Sequence, residues 1–115
     1  MIDIDEISIT LGAIIEKNNI LEKQFNLKKG TIYNLTGIKK RTIVKKIDTA
    51  ESLAIKTCKK IKKSKLKNVT HIISVTNTQN IRFPGISNFL SSKLNLSKVH
   101  CINLNQGCTG FADAL

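Results

Sequence analysis

Apolar positions change their spacing several times along the chain, and each change marks an element. Ile7, Ile9 and Leu11 alternate with Glu6, Ser8 and Thr10, the two-residue period of a strand with one buried face, and Gly12 ends the run. Asn19 and Glu22 have the spacing of a reciprocal cap, which predicts a short helix from Ile20 to about Phe25 with Leu21 and Phe25 turned inward. Gly30 interrupts, and a further helical turn through Ile32 and Leu35 is closed by Gly37, the residue that best tolerates the left-handed conformation past a helix end. Ile38 to Lys45 reads as a strand, because Thr42, Ile43 and Val44 favour extended backbone.

Asp48, with Glu51 three residues on, opens the clearest helix, in which Ala50, Leu53, Ala54, Thr57, Cys58 and Ile61 recur at helical spacing. Its other face carries Lys56, Lys59, Lys60 and Lys63, so Cys58 reads as a core residue. Thr70 to Thr76, with Ile72, Ile73 and Val75, has the length and apolarity of a central strand. A polar turn follows, then Pro84 at the first position of a helix whose apolar stripe is Ile86, Phe89, Leu90 and Leu94. Val99 to Leu104 is the last strand. Strands alternating with helices argue for an α/β layered fold, a mixed sheet covered by helices, built as one domain over residues 1–115.

Composition narrows what such a domain can be. At 115 residues the chain can bury one modest core, and no stretch is long and apolar enough to span a membrane. The acidic Met-Ile-Asp-Ile-Asp-Glu start is unlike a secretory signal, which predicts a cytoplasmic protein. Three cysteines without a C-x-x-C pair suggest reduced thiols, and neither a disulfide framework nor a metal site. A net charge of +11 gathers between Lys28 and Lys67, where only Asp48 and Glu51 are acidic. That surface suits an acidic partner or is a solvated lysine face; with Tyr33 the one aromatic and Arg41 the one arginine in the span, nucleic acid is a poor fit.

Candidate chemistry sits at the end of the last strand. Asn105, Gln106 and Gly107 interrupt the strand pattern, Cys108 follows, and Thr109, Gly110, Ala112 and Ala114 make a slim helix able to approach a neighbour closely. Free N–H groups at a helix start stabilise a thiolate and could hold an oxyanion, so Cys108 is a candidate nucleophile as well as a small buried hydrophobe. Carboxyl ends of strands are also where open α/β sheets place their ligands. His71 and His100, within strands, read as structural.

Three separated stretches carry a family likeness: Thr36-Gly37-Ile38-Lys39-Lys40-Arg41, the run ending in Phe83-Pro84, and Gly107-Cys108-Thr109-Gly110-Phe111. In motif, order and spacing the chain resembles the N-terminal part of β-ketoacyl-acyl-carrier-protein synthase III, of the thiolase-like superfamily. The resemblance implies that Cys108 takes an acyl group from a thioester, such as an acyl-coenzyme A substrate, and that decarboxylating malonyl-acyl carrier protein then condenses with it, with no bound cofactor. It implies a homodimer, with Phe83 at the dimer contact and acyl pocket, and Lys39, Lys40 and Arg41 at the entrance for carrier protein or cofactor. The histidine and asparagine that the family uses lie in its C-terminal half, so the chain is expected to be a truncated half domain, inactive alone in condensation. Thr31 and Leu35 stand where many members clasp adenine with tryptophan and arginine, which leaves the primer open. An acyltransferase of the same fold without condensation, and a non-catalytic module binding a polyanion or carrier protein, are the alternatives.

Overall fold

Two β pairings organise the chain, and each belongs to its own compact unit: one is formed by residues 11–47, the other by residues up to Thr10 together with 48–115. The computed structural model describes residues 3–115.

In the 11–47 unit, β1 (Ile14–Lys17) pairs antiparallel with β2 (Lys40–Ile43), placing Ile14 opposite Ile43 and Lys17 opposite Lys40. Between them lie α1 (Asn18–Gln24) and α2 (Thr31–Thr36). The cap expected from Asn19 and Glu22 does not form: α1 starts at Asn18 without a side-chain cap, and Glu22 is buried with its carboxylate accepting the Ile32 N–H at 3.1 Å. That N–H belongs to the first turn of α2 and has no partner of its own in the helix, so the acid serves the neighbouring element. Gly37 is left-handed at φ 70°, as its position after the helix requires.

The predicted strand over Ile7–Leu11 is absent. These three apolar residues are exposed, and within the second unit residues 5–9 are held by side chains: Ser8 Oγ donates to the Thr57 carbonyl, the Lys60 ammonium to the Ile9 carbonyl, and Lys65 pairs with Asp5 at 3.0 Å and Glu6 at 2.9 Å. A period of two marks a strand only where a partner strand accepts its backbone, and here no described strand does.

In this second unit β3 (His71–Val75) and β4 (His100–Leu104) run parallel, with His71 opposite His100 and Val75 opposite Leu104. A parallel pair needs a crossover, which α5 (Ile86–Lys93) supplies, and α3 (Ala50–Cys58) packs beside it. Ile86, Ser87 and Leu90 form the buried seam. A short helix not foreseen, α4 (Lys63–Leu66), precedes β3. Far from lying in the middle of a sheet, β3 pairs with β4 alone among the described strands, and Ile73 and Ile102 stay exposed. Pro84 precedes the helix instead of starting it: the Phe83–Pro84 bond is cis and Gly85, at φ 107°, is the cap residue.

The α3 cap is Thr49, whose side chain accepts the Ser52 N–H at 3.1 Å while Ser52 Oγ accepts the Thr49 N–H at 2.9 Å. The predicted Asp48 and Glu51 box is therefore shifted by one residue, and Glu51 is released for a longer reach. Only 4% exposed, its Oε1 accepts the N–H groups of Asn80 at 2.6 Å and Ile81 at 2.9 Å, anchoring the loop that leads to Phe83. Burial pushes this carboxyl up, but the Ile81 N–H, with the other N–H groups and the Thr49 hydroxyl, outweighs it and holds the group below its ordinary 4.5. A depressed carboxyl adds stability above its unfolded value and loses it as the pH falls through the folded one. We expect acid titration below pH 4.5 to weaken the wild type more steeply than Glu51→Gln, as read by thermal melts at successive pH values; parallel pH profiles would refute this.

Candidate active site

β4 closes on β3 with the Thr76 N–H donating to the Leu104 carbonyl at 3.1 Å, and the chain then turns away from the sheet. Gly107 makes the turn at φ 57°, where a side chain would be strained. Two amides frame it, oriented as their partners dictate: Asn77 accepts the Gly107 N–H at 3.3 Å, and Asn105 donates to the Thr76 carbonyl at 2.7 Å. Cys108 is the middle residue of the single 3-10 turn Gly107–Thr109, which Thr109 Oγ1 closes onto the Gln106 carbonyl at 3.1 Å. A polar cleft of about 240 Å³ between Asn77, Gln79, Arg82 and Asn105 opens at this same end of the strands.

The next helix, α6 (Gly110–Ala114), lies against β3, and Gly110 is the reason it can. A Cβ at that buried position would stand 2.5 Å from Val75 Cγ1, so only glycine lets the helix descend this far. The expectation of a slim helix behind the cysteine is thus met at a specific contact. Cys108 itself is exposed, whereas Cys58 and Cys101 are half-buried, and burial pushes the Cys58 thiol up. Cys58 reads as a core residue only in part, since α3 leaves it at the border of the packed seam.

Asn103, on β4, is a residue that the sequence reading passed over. Its Oδ1 accepts from the Ser87 N–H at 2.9 Å, the Ser87 hydroxyl at 2.9 Å and the Ser74 hydroxyl at 2.8 Å, while its Nδ2 donates to the Pro84 carbonyl at 3.2 Å and to Asn88 at 3.3 Å. One amide therefore ties β3, β4, the Pro84 turn and the first turn of α5 together. Gly85 follows from the same arrangement, because a Cβ there would fall on the Asn103 amide. An asparagine in an otherwise apolar strand, with serines at the next helix start, was the signal available. Glu51 was missed in the same way, read as a helix opener when it serves a loop.

Phe83 follows that loop and is 93% exposed. Lys39, Lys40 and Arg41 belong to the 11–47 unit: Lys39 lies over the Tyr33 ring at 5.7 Å, Lys40 pairs across the ladder with Lys17, and Arg41 meets Glu16 at 3.6 Å. Leu35 is exposed, and Thr31 Oγ1 donates to the Lys28 carbonyl at 2.6 Å, closing the α2 start. His71 and His100 stack with ring centroids 5.0 Å apart at the first residues of β3 and β4, at the opposite end of the strands from the Cys108 turn.

No family model matches the chain. It is 32% identical over 105 residues to β-ketoacyl-[acyl-carrier-protein] synthase III 2 of Bacillus anthracis, an alignment covering 88% of this chain and 32% of that protein. The chain thus spans about a third of the length of the curated relatives it matches. Among solved structures, β-ketoacyl-[acyl carrier protein] synthase III from Thermus thermophilus superimposes with a TM-score of 0.83 at 24% identity, covering 93% of this chain and 34% of that one. The HMG synthase of the curacin biosynthetic pathway, solved in complex with holo donor-ACP, gives 0.83 at 18% identity over 98% of this chain and 28% of that one, a likeness of fold alone.

Proposed function

From a chain that corresponds in sequence and fold to the N-terminal part of a β-ketoacyl-[acyl-carrier-protein] synthase III, we propose the nucleophile-bearing part of a type III condensing enzyme, with Cys108 as the acylated residue. The observation that carries the reading is the exposure of Cys108 alone among the three thiols, on a glycine-made turn just past the carboxyl end of β4. The Cys108 sulfur attacks the carbonyl of an acyl thioester, the tetrahedral intermediate collapses, and the donor leaves as its thiol. Malonyl-acyl carrier protein then loses carbon dioxide, its enolate carbon attacks the acyl group, and the bond to Cys108 breaks to release the β-ketoacyl product.

On this reading the full enzyme is a homodimer whose Phe83 reaches the neighbouring protomer, which accounts for a ring left 93% exposed beside an anchored turn. Lys39, Lys40 and Arg41 contribute cationic charge for an acidic carrier protein, and the primer stays open because Thr31 and Leu35 offer no adenine clasp. The 115-residue chain alone is proposed to accept an acyl group without condensing it, since the family's oxyanion histidine and asparagine belong to a part that it does not match. Two assays test this. Incubation with a short acyl thioester followed by peptide mapping is expected to show the acyl mass on the Cys108 peptide, absent in Cys108→Ser. Malonyl-carrier protein is expected to release no carbon dioxide above a no-protein control.

An unmodified Cys108 peptide overturns the nucleophile, and carbon dioxide release overturns the division of labour. The net charge of +11 favours the second reading, a polyanion-binding module. That module would hold an acidic carrier protein equally well as Cys108→Ser, lose it steeply with salt, and show no acyl adduct.

A further inference from the structure

At the other end of β3 and β4 a groove of about 390 Å³ opens between the α3–α4 corner and the end of α5. Half-buried Ile61, Leu66, Leu94 and Leu96 line it, and exposed Lys59, Lys63, Lys67 and Lys93 stand around them. Its volume falls within the range of small-molecule pockets, about 300 to 1,000 Å³. None of these four lysines is in an ion pair among the described residues, in contrast to Lys56 and Lys65, which hold Asp48, Asp5 and Glu6; Lys93 lies over the Phe89 ring. The segments that form the groove run into the first residues of the two strands, whereas Cys108 follows their last residues.

We propose that this groove binds a single-chain anionic amphiphile, a medium-length alkyl carboxylate, with the chain against Ile61, Leu66, Leu94 and Leu96 and the head group among the lysines. An apolar floor alone would attract any alkane, and lysines alone any anion; side by side they select a molecule with both ends. Unpaired ammonium groups gather a carboxylate that has an apolar tail to bury, and the tail gains from each methylene removed from water. The limited volume favours a lone chain over a bilayer or a protein helix, whose diameter of about 10 Å needs a longer trough. The proposal is independent of acyl transfer at Cys108.

Decanoate is the probe, titrated against the full chain by heteronuclear NMR, with decanol and inorganic phosphate as controls for tail and charge. Decanoate is expected to shift the amides of Ile61, Leu66, Leu94 and Leu96 together and to saturate, with both controls weaker by about fivefold or more. Lys63→Gln/Lys67→Gln, two exposed changes that leave the packing intact, should weaken decanoate by about fivefold. Ile61→Asn adds a polar side chain to the floor and should weaken it further; if that variant is destabilised, the lysine pair carries the test. Cys108→Ser should bind as wild type does. Equal binding of decanol overturns the role of the lysines, and equal binding of phosphate overturns the role of the floor. Shifts spread over the whole chain, or vesicles of anionic phospholipid that hold the protein without competition from decanoate, overturn the proposal.

Discussion

Brief exposure to iodoacetamide near neutral pH is expected to alkylate Cys108 about tenfold faster than Cys58 or Cys101. Alkylation needs a sulfur that the reagent can reach and that carries thiolate character. Cys108 stands on an exposed turn after β4; Cys58 is half-buried with its thiol pushed up by burial, and Cys101 sits half-buried within the strand. Peptide mapping over a time course measures the three rates separately. Cys108→Ser should remove the fast phase without altering the slow ones. Equal labelling of Cys58 and Cys108 would remove the physical basis for assigning the nucleophile, even if the fold stands.

The largest effect on stability is expected at Asn103. Replacing it with alanine strips the Ser87 N–H and hydroxyl of their acceptor at a residue that is 0% exposed, and frees the Pro84 carbonyl from its donor. An unsatisfied buried polar group costs about 1 to 3 kcal/mol, and water entering from the exposed side of Asn103 recovers part of that. A net loss of about 2 kcal/mol corresponds to a melting temperature lower by about 8 to 16 °C in a domain of this size. Ser87→Ala removes one of the two bonds and should cost about half as much; combined with Asn103→Ala it should add little, because the partner is already gone. Calorimetric melts of the two single variants and the double variant measure this. Additive losses would mean that the two residues stabilise the protein independently, contrary to the bonds described.

The same substitution reaches the candidate site by way of the Pro84 turn. Asn103 holds Pro84 from one side and Glu51 holds Asn80 and Ile81 from the other, so the exposed Phe83 is presented by a loop pinned at both ends. A residue aimed outward needs such anchors, since an exposed aromatic ring on a free loop would fold back onto apolar surface.

What the sequence determined alone is the set of local features whose cause is local. α2 with its Gly37 end, the helical stripe of α3, the extended runs of β2, β3 and β4, and the turn carrying Cys108 before a small-residue helix were all legible, because propensity, periodicity and glycine conformation act within a few residues. The motif around Cys108 was legible for the same reason. Features that depend on distant partners were decided by the tertiary structure. Ile7, Ile9 and Leu11 have a strand's alternation but no strand beside them among the described residues; Glu22 and Glu51 have a cap's spacing, yet their carboxylates are drawn to N–H groups on other elements, where burial makes a hydrogen bond obligatory. Asn103 stands out locally only as an asparagine in an otherwise apolar strand, and its role exists because β3, β4 and α5 meet around one amide. Spacing along a chain states which bonds a residue could make nearby, and packing selects the one that keeps the buried Glu22 and Glu51 carboxylates paired.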